Sequence, residues 1–247
     1  MMRAAILGCW VGALFVAATA IWLNLYWALL MLLPPVGLSL WATLMPRCDW
    51  WGPVLQRFTS RYREVLLSFD LAPDPEETPA VLVLLERYNA RGMFLVDIRR
   101  VKRHPELVKE IVARGHGISC ALSNRRSWMI SPKRVIEEIS DCCELINDLV
   151  PDYPLQWFAL PGTRVPPWLH PALDPMGLRV IGHSADDGGV QVQDMEKVLL
   201  HLRKDVHKGG VIRFHHGQMD VRGNGCSAEL LEEMLIWFRG QAYTMGG

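Results

Sequence analysis

The chain has 247 residues, half of them hydrophobic, with 26 basic side chains against 26 acidic ones. Beyond an apolar amino terminus, about 200 residues remain, which fits one ordinary domain. The even charge balance gives no basic footprint for nucleic acid, and no internal repeat or charged tail is present.

Residues 4–45 carry no charged side chain and are rich in Leu, Ala, Trp and Val. That run exceeds a signal peptide's apolar core of roughly 7–15 residues. About 20 apolar residues span a bilayer, so residues 1–46 are expected to form a transmembrane segment. A two-helix hairpin divided at Asn24 into Ala4–Leu23 and Leu25–Met45 is the preferred form, with Pro34-Pro35 kinking or breaking the second helix. The hairpin puts Arg3 on the side of Arg47, Arg57, Arg61 and Arg63. The positive-inside rule then implies a multi-pass protein of a bacterial inner membrane with its domain in the cytoplasm. A re-entrant or single tilted helix is the alternative and would allow a periplasmic domain. Residues 47–63 read as an interfacial linker, with Trp50-Trp51 at the interface, and 64–247 as the domain.

From there strand-like and helix-like patterns alternate. Glu64–Phe69 reads as a buried strand, and Glu76-Glu77-Thr78-Pro79 as the start of a helix reaching about Asn89. Met93–Val96 is a strand, His104–Ile111 an amphipathic helix ended by Gly115, and Gly117–Cys120 a strand. Ser131-Pro132 opens a helix on which Val135, Ile136, Ile139, Cys142 or Cys143, and Ile146 recur at helical spacing up to Val150. Gln156–Leu160 is a strand and Pro166–Met176 holds a short helix. Leu178–Ile181, a helix over Asp194–Val206, Gly210–Phe214 and a helix over Ala228–Arg239 complete the series. This alternation argues an α/β domain with a parallel sheet. Active residues in such sheets sit at the carboxyl edge of the strands, where Asp70, Cys120, Ala159, the Asp186 region and His215 stand. The six cysteines form neither a disulfide framework nor a CxxC zinc site, and no G-x-S-x-G elbow is present.

SFDLAPDP at 68–75, ARGMFLV at 90–96, HPELVKEIVARGHGIS at 104–119, FALPG at 158–162, GLRVIGHSADD at 177–187 and GGVIRFHHG at 209–217 follow one another in order. Together they resemble the signature segments of the NodB-homology polysaccharide deacetylases, a carbohydrate esterase family, over about residues 64–220. The resemblance implies a distorted (β/α) barrel of about seven parallel strands. It also implies metal-assisted hydrolysis of an N-acyl amide on a sugar, in which a divalent metal such as zinc activates a water while an Asp and a His manage protons.

Residue by residue, the resemblance carries over only in part. Asp70 matches the base, His215 the acid, and Asp186 the carboxylate that tunes that His. The metal-ligand positions hold Leu71, Ala121 and Arg125, and Ala159 stands where an Arg would hold the base. Leu and Ala offer no ligand atom and Arg is a fixed cation, so no cofactor is expected. Asp70 is expected to pair with Arg125 or with backbone donors. Arg125, His183 and Trp168 are possible ligand contacts, Trp168 by stacking on a sugar, as Trp157 or Trp50-Trp51 also could. A relocated metal set of His116, His183, His215, Asp186 and Asp187 has no recognised ligand spacing, and Cys120 reads as a small buried hydrophobe before a nucleophile. Two functions follow. One is a membrane-anchored, non-catalytic descendant that binds a glycolipid or membrane lipid, or assists an envelope-biosynthesis enzyme. The other is an active hydrolase of a non-peptide carbon–nitrogen bond, with Asp70 as base and His215 as acid.

Overall fold

The computed structural model describes residues 2–21, 25–44, 51–123, 131–159, 165–187, 195–215 and 226–246. Two compact units are present, one of Met1–Pro53 with Thr163–His170, the other of Val54–Gly162 with Pro171–Gly247.

The first unit is built on two helices, α1 (Met2–Ile21) and α2 (Leu25–Leu44), with Pro34 and Pro35 inside the second. They pack on each other, and the indole nitrogen of Trp10 donates to the Ser39 hydroxyl at 3.2 Å. Leu7, Val11, Leu14, Phe15, Leu33 and Leu40 are exposed. Among the described residues no helix is long and apolar enough to cross a membrane. The expected transmembrane hairpin, membrane anchoring and multi-pass inner-membrane location are corrected accordingly.

Among the described residues the second unit carries one nine-stranded sheet in which every named ladder is parallel. In chain order the strands are β1 (Val54–Leu55), β2 (Glu64–Ala72), β3 (Gly92–Asp97), β4 (Gly117–Ala121), β5 (Trp157–Ala159), β6 (Arg179–Ile181), β7 (Ala185–Asp186), β8 (Gly210–His215) and β9 (Thr244–Met245). Their order across the sheet is β1-β6-β5-β4-β3-β2-β8-β7, and β9 adds to β2. The α/β domain with a parallel sheet is as expected, with nine strands among the described residues where the resemblance implies about seven. The three that the sequence patterns do not mark, β1, β7 and β9, are two residues long, too short to leave a periodic pattern. Both faces of a parallel sheet are covered, and all six residues of β8 are buried.

The helices form where caps and stripes dictate. The Asp74 carboxylate accepts from the backbone N–H groups of Glu76 and Glu77 at 3.0 and 3.1 Å and so opens α3 (Glu77–Arg87). Asp97 ends β3 and caps a short helix absent from the sequence reading, α4 (Ile98–Arg103), by accepting from Arg99 and Arg100 N–H. Proline begins both α5 (Pro105–Ala113) and α6 (Pro132–Leu149), where a missing N–H costs nothing. Val135, Ile139, Cys142 and Ile146 make the buried stripe of α6, which settles that Cys142 rather than Cys143 faces inward. The remaining helices are α7 (Leu169–Leu173), α8 (Met195–Asp205) and α9 (Cys226–Gly240).

Candidate functional site

The polar cluster of the sheet lies at the carboxyl ends of β2, β7 and β8. Strand register sets it, since Asp70 pairs with His215 and Ser68 with Arg213 in the β2–β8 ladder, while Asp186 pairs with Arg213 across β7–β8. Alternate residues share a face, so Val211, Arg213 and His215 line up on one side of β8, and Leu66, Ser68 and Asp70 on one side of β2. Asp70 Oδ2 lies 3.7 Å from Arg213 Nη1 and 3.6 Å from His215 Nε2. His215 Nδ1 is bonded to Asp187 Oδ1 and lies 3.7 Å from Asp186 Oδ1. The same Asp187 carboxylate accepts from the His215 backbone N–H at 2.8 Å. His183 Nε2 meets Asp186 Oδ2 at 3.2 Å.

Arg213 and His215 are buried, and two cations in a dry strand interior need counter-charges. Asp70, Asp186 and Asp187 supply them. Burial by itself disfavours the charged imidazole of His215. The hydrogen bond to Asp187 and the charges of Asp187, Asp186 and Asp70 overcome it and push the His215 pKa above the ordinary histidine value. The ring is therefore held toward imidazolium, with Nε2 turned to Asp70 at ion-pair distance and lacking a hydrogen-bond partner among the described residues.

The neighbouring strand ends are apolar. Ala121 on β4 and Ala159 on β5 face each other in register. With Leu95, Ile181 and Val211 they form one buried hydrophobic cluster, against which Leu66, Met93 and Trp157 also pack. Cys120, one residue earlier on β4, alternates to the opposite face. Its thiol is buried and pushed well above its usual pKa by hydrogen bonds with Cys142 and Cys143 and by burial, so it is no nucleophile of this site.

The expected residues are thus sorted. Asp70, His215, Asp186 and His183 come together. The principal partner of His215 is Asp187, one residue beyond the expected Asp186. Leu71 lies in β2, Arg125 lies outside the described residues, and the charge facing Asp70 is that of Arg213, which the sequence reading passed over. His116 precedes β4, at the opposite edge of the sheet, where its Nδ1 accepts from Gly92 N–H at 3.4 Å. Burial, then the charges of Arg114 and Arg91, lower its pKa. Trp168 is half-buried in the first unit, Trp51 is half-buried, and Trp157 packs on the apolar cluster.

The inherited metal set does not fit a divalent ion, because Ala121 and Leu71 have no donor atom and Ala121 is packed among hydrocarbon. The ligand atoms of Asp186, Asp187 and His215 do lie within 4.8 Å of one another. Metal ligation takes the neutral imidazole, however, and here its Nδ1 is bonded to a carboxylate and the ring is held toward its cation.

Comparison with known proteins agrees with this geometry. A family model described as polysaccharide deacetylase matches residues 59–181. A peptidoglycan-N-acetylglucosamine deacetylase of Bacillus cereus is 27% identical over 172 residues, covering 68% of this chain and 80% of that protein. A chitooligosaccharide deacetylase of Azorhizobium caulinodans is 22% identical over 175 residues, 68% of this chain and 83% of its own. Among solved structures, a CE4 family pseudoenzyme from Bacillus anthracis shares the fold at a TM-score of 0.67 and 18% identity, over 77% of this chain and 65% of that one.

Proposed function

This chain is a divergent member of the NodB-homology polysaccharide deacetylase family with degenerate metal-binding motifs, and from that premise we propose that it works without metal-dependent catalysis, as a binding or accessory protein in envelope polysaccharide or glycolipid metabolism. The observation that carries the reading is Asp70. It stands at the family's base position and faces two cations, Arg213 and His215. Beside it the metal-ligand positions of the resemblance hold Leu71 and Ala121, which offer no donor atom. The ligand class is an N-acylated sugar chain or the sugar head of a glycolipid, in keeping with relatives named as deacetylases of peptidoglycan N-acetylglucosamine and of chitooligosaccharide. An envelope-biosynthesis enzyme is the partner class.

Elemental analysis of purified protein, before and after addition of zinc, cobalt or manganese, tests the first half of the proposal. Metal well below one ion per chain is expected, and near-stoichiometric metal that disappears in Asp70→Asn would sink it. Calorimetric titration with N-acetylglucosamine oligomers tests the second half, with saturable binding and no acetate release as the expected result.

A second reading rests on the survival of His215 bonded to Asp187 and facing Asp70. It is a metal-free hydrolase of an N-acyl amide, with Asp70 as base and His215 as acid. Such an enzyme must replace the electrostatic help of the metal, and one lost oxyanion donor alone costs about 2.7–4 kcal/mol. Acetate released from the same oligomers, and abolished by both Asp70→Asn and His215→Gln, would favour it.

A further inference from the structure

At the amino edge of the sheet, away from the polar cluster, a cavity of about 590 Å³ is lined by three arginines, Arg87, Arg91 and Arg239, together with Tyr88, Asn89 and residues 243–246. That volume lies within the roughly 300–1,000 Å³ of small-molecule sites. β9 joins β2 at Glu64 and Val65. At about 3.3 Å per residue, Asp70 lies about 20 Å further along β2. The lining is tied together by its backbone. Asn89 takes the left-handed conformation, with φ of 49°, where α3 ends, and turns the chain toward β3. The Arg91 N–H then donates to the Met245 carbonyl at 3.0 Å, and the Gly246 N–H to the Val65 carbonyl at 3.0 Å. Gly246, with φ of 111°, permits this close approach, since a Cβ there would lie 2.6 Å from that of Arg91. The Tyr243 ring is held against Trp237 and Phe238, with centroids 6.1 and 5.8 Å away.

We propose that this cavity binds a phosphate monoester, carried either by a soluble compound or by a lipid headgroup. The charge balance carries the proposal. Arg87 already has a partner, Glu232 at 3.0 Å, and the same carboxylate accepts from the Tyr88 hydroxyl at 3.4 Å. Among the described residues, Arg91 and Arg239 meet no carboxylate at ion-pair distance. Three guanidiniums against one carboxylate leave two positive charges in excess. A phosphate monoester carries about 1.5 to 2 negative charges at pH 7, which matches that excess. Arg87 and Arg239 lie in the last turns of α3 and α9, where the helix carbonyls favour a cation. That preference does not account for Arg91, which lies between α3 and β3 and brings a third guanidinium to the same space. The planar fork of arginine matches phosphate oxygens two at a time, and the Asn89 amide and Tyr243 hydroxyl add neutral donors to the same walls. This inference is independent of what the polar cluster binds.

The experiment is calorimetric titration of the full chain with glucose 6-phosphate at constant ionic strength, with glucose as the control. Saturable binding of one phosphate ester per chain is expected, and none of glucose. Arg91→Gln and Arg239→Gln should each weaken it at least tenfold. Arg114→Gln removes a cation that lies outside the cavity and is already paired with Glu86 and Glu110, and it should leave the affinity unchanged. Sedimentation with phosphatidylcholine vesicles, with and without phosphatidic acid, separates the two sources. Pelleting that needs phosphatidic acid and is lost in Arg91→Gln assigns the lipid headgroup. Saturable glucose 6-phosphate binding without such pelleting assigns the soluble ester. The proposal is overturned if the wild-type chain shows neither. It is also overturned if Arg114→Gln loses as much affinity as Arg91→Gln, because diffuse surface charge would then explain the binding. The substituted arginines are all exposed, and the wild-type titration and sedimentation decide even if a variant fails to fold.

Discussion

The carboxyl edge of the sheet holds two neighbouring regions with opposite histories. On β2, β7 and β8 the titratable groups remain, and Asp70, His215, Asp186 and Asp187 are joined by Arg213, a buried charge. On β4 and β5 the positions that the resemblance assigns to functional side chains are alanines, which form a cluster with Leu95, Ile181 and Val211. The difference teaches that losing a metal site is not a uniform decay. Where the strand ends could be made apolar, they became core. Where a carboxylate stayed, a cation had to stay or arrive, since a buried charge without a partner is too costly to keep. Val211 and Arg213, two residues apart on one face of β8, mark the border between the two regions.

The sharpest way to break that comparison is to remove the cation. Arg213→Leu puts an apolar side chain between Val211 and His215 on the same face of β8. It takes away a guanidinium at ion-pair distance from Asp70 and leaves His215 beside it. Breaking a buried pair by removing one member costs about 3–5 kcal/mol, so a loss of that order is expected in urea unfolding. Asp70→Leu combined with Arg213→Leu should recover much of the loss. A single variant as stable as the parent would show that Arg213 is not the counter-charge.

Ala159→Arg tests the other side. It places an arginine where the resemblance expects one beside the base, but at a position enclosed by the apolar cluster. Overpacking a core costs about 1–3 kcal/mol, and a shift of the unfolding midpoint in that range is expected. Unchanged stability would mean that β5 still has room for the ancestral side chain and that this region is not core.

The two regions were also unequally legible in the sequence. Asp70, His215 and Asp186 could be found because ordered motifs placed them at strand ends. Ala121 and Ala159 could be read as losses, but nothing local showed that they had joined one cluster, because its members come from β3, β4, β5, β6 and β8. Arg213 was open to detection. A lone charge two residues before His215 in an otherwise apolar strand must point to the same face as that His. Asp187 was missed in favour of Asp186 because β7 is two residues long and its alternation cannot be projected past its end. The amino-terminal run shows the opposite failure, in which composition led to a membrane span that no described helix meets.

The titration of His215 sharpens the comparison from the polar side. Its folded pKa is raised above an unfolded value of about 6.5. The folded state therefore holds the proton more tightly than the unfolded state between those two values. The stabilisation from this group is fully present below about pH 6.5 and is lost as pH rises through the folded pKa, with a slope of at most about 1.4 kcal/mol per pH unit. Stability measured by urea unfolding at constant ionic strength should fall across that window. Asp187→Asn removes the bonded carboxylate charge and should flatten the fall. An equally steep fall in that variant would assign the proton to another group.

The smallest expected effect lies in the apolar region, where β4 meets its polar needs through backbone ladders and one side chain. Tyr153 accepts from the Ile118 N–H at 2.6 Å, with the Ile118 carbonyl at 3.4 Å, and burial raises its pKa. Tyr153→Phe keeps the ring and deletes the hydroxyl, so the Ile118 amide loses that acceptor. A net hydrogen bond is worth about 0.5–1.5 kcal/mol, and a destabilisation of about 1 kcal/mol is expected. Hydrogen exchange gives the more discriminating readout. The Ile118 amide should exchange faster in the variant, while the amide of His215, which donates to Asp187, keeps its rate. If both amides sped up together, β4 and β8 would be opening as one unit, and the apolar and polar regions would share a single fate rather than two.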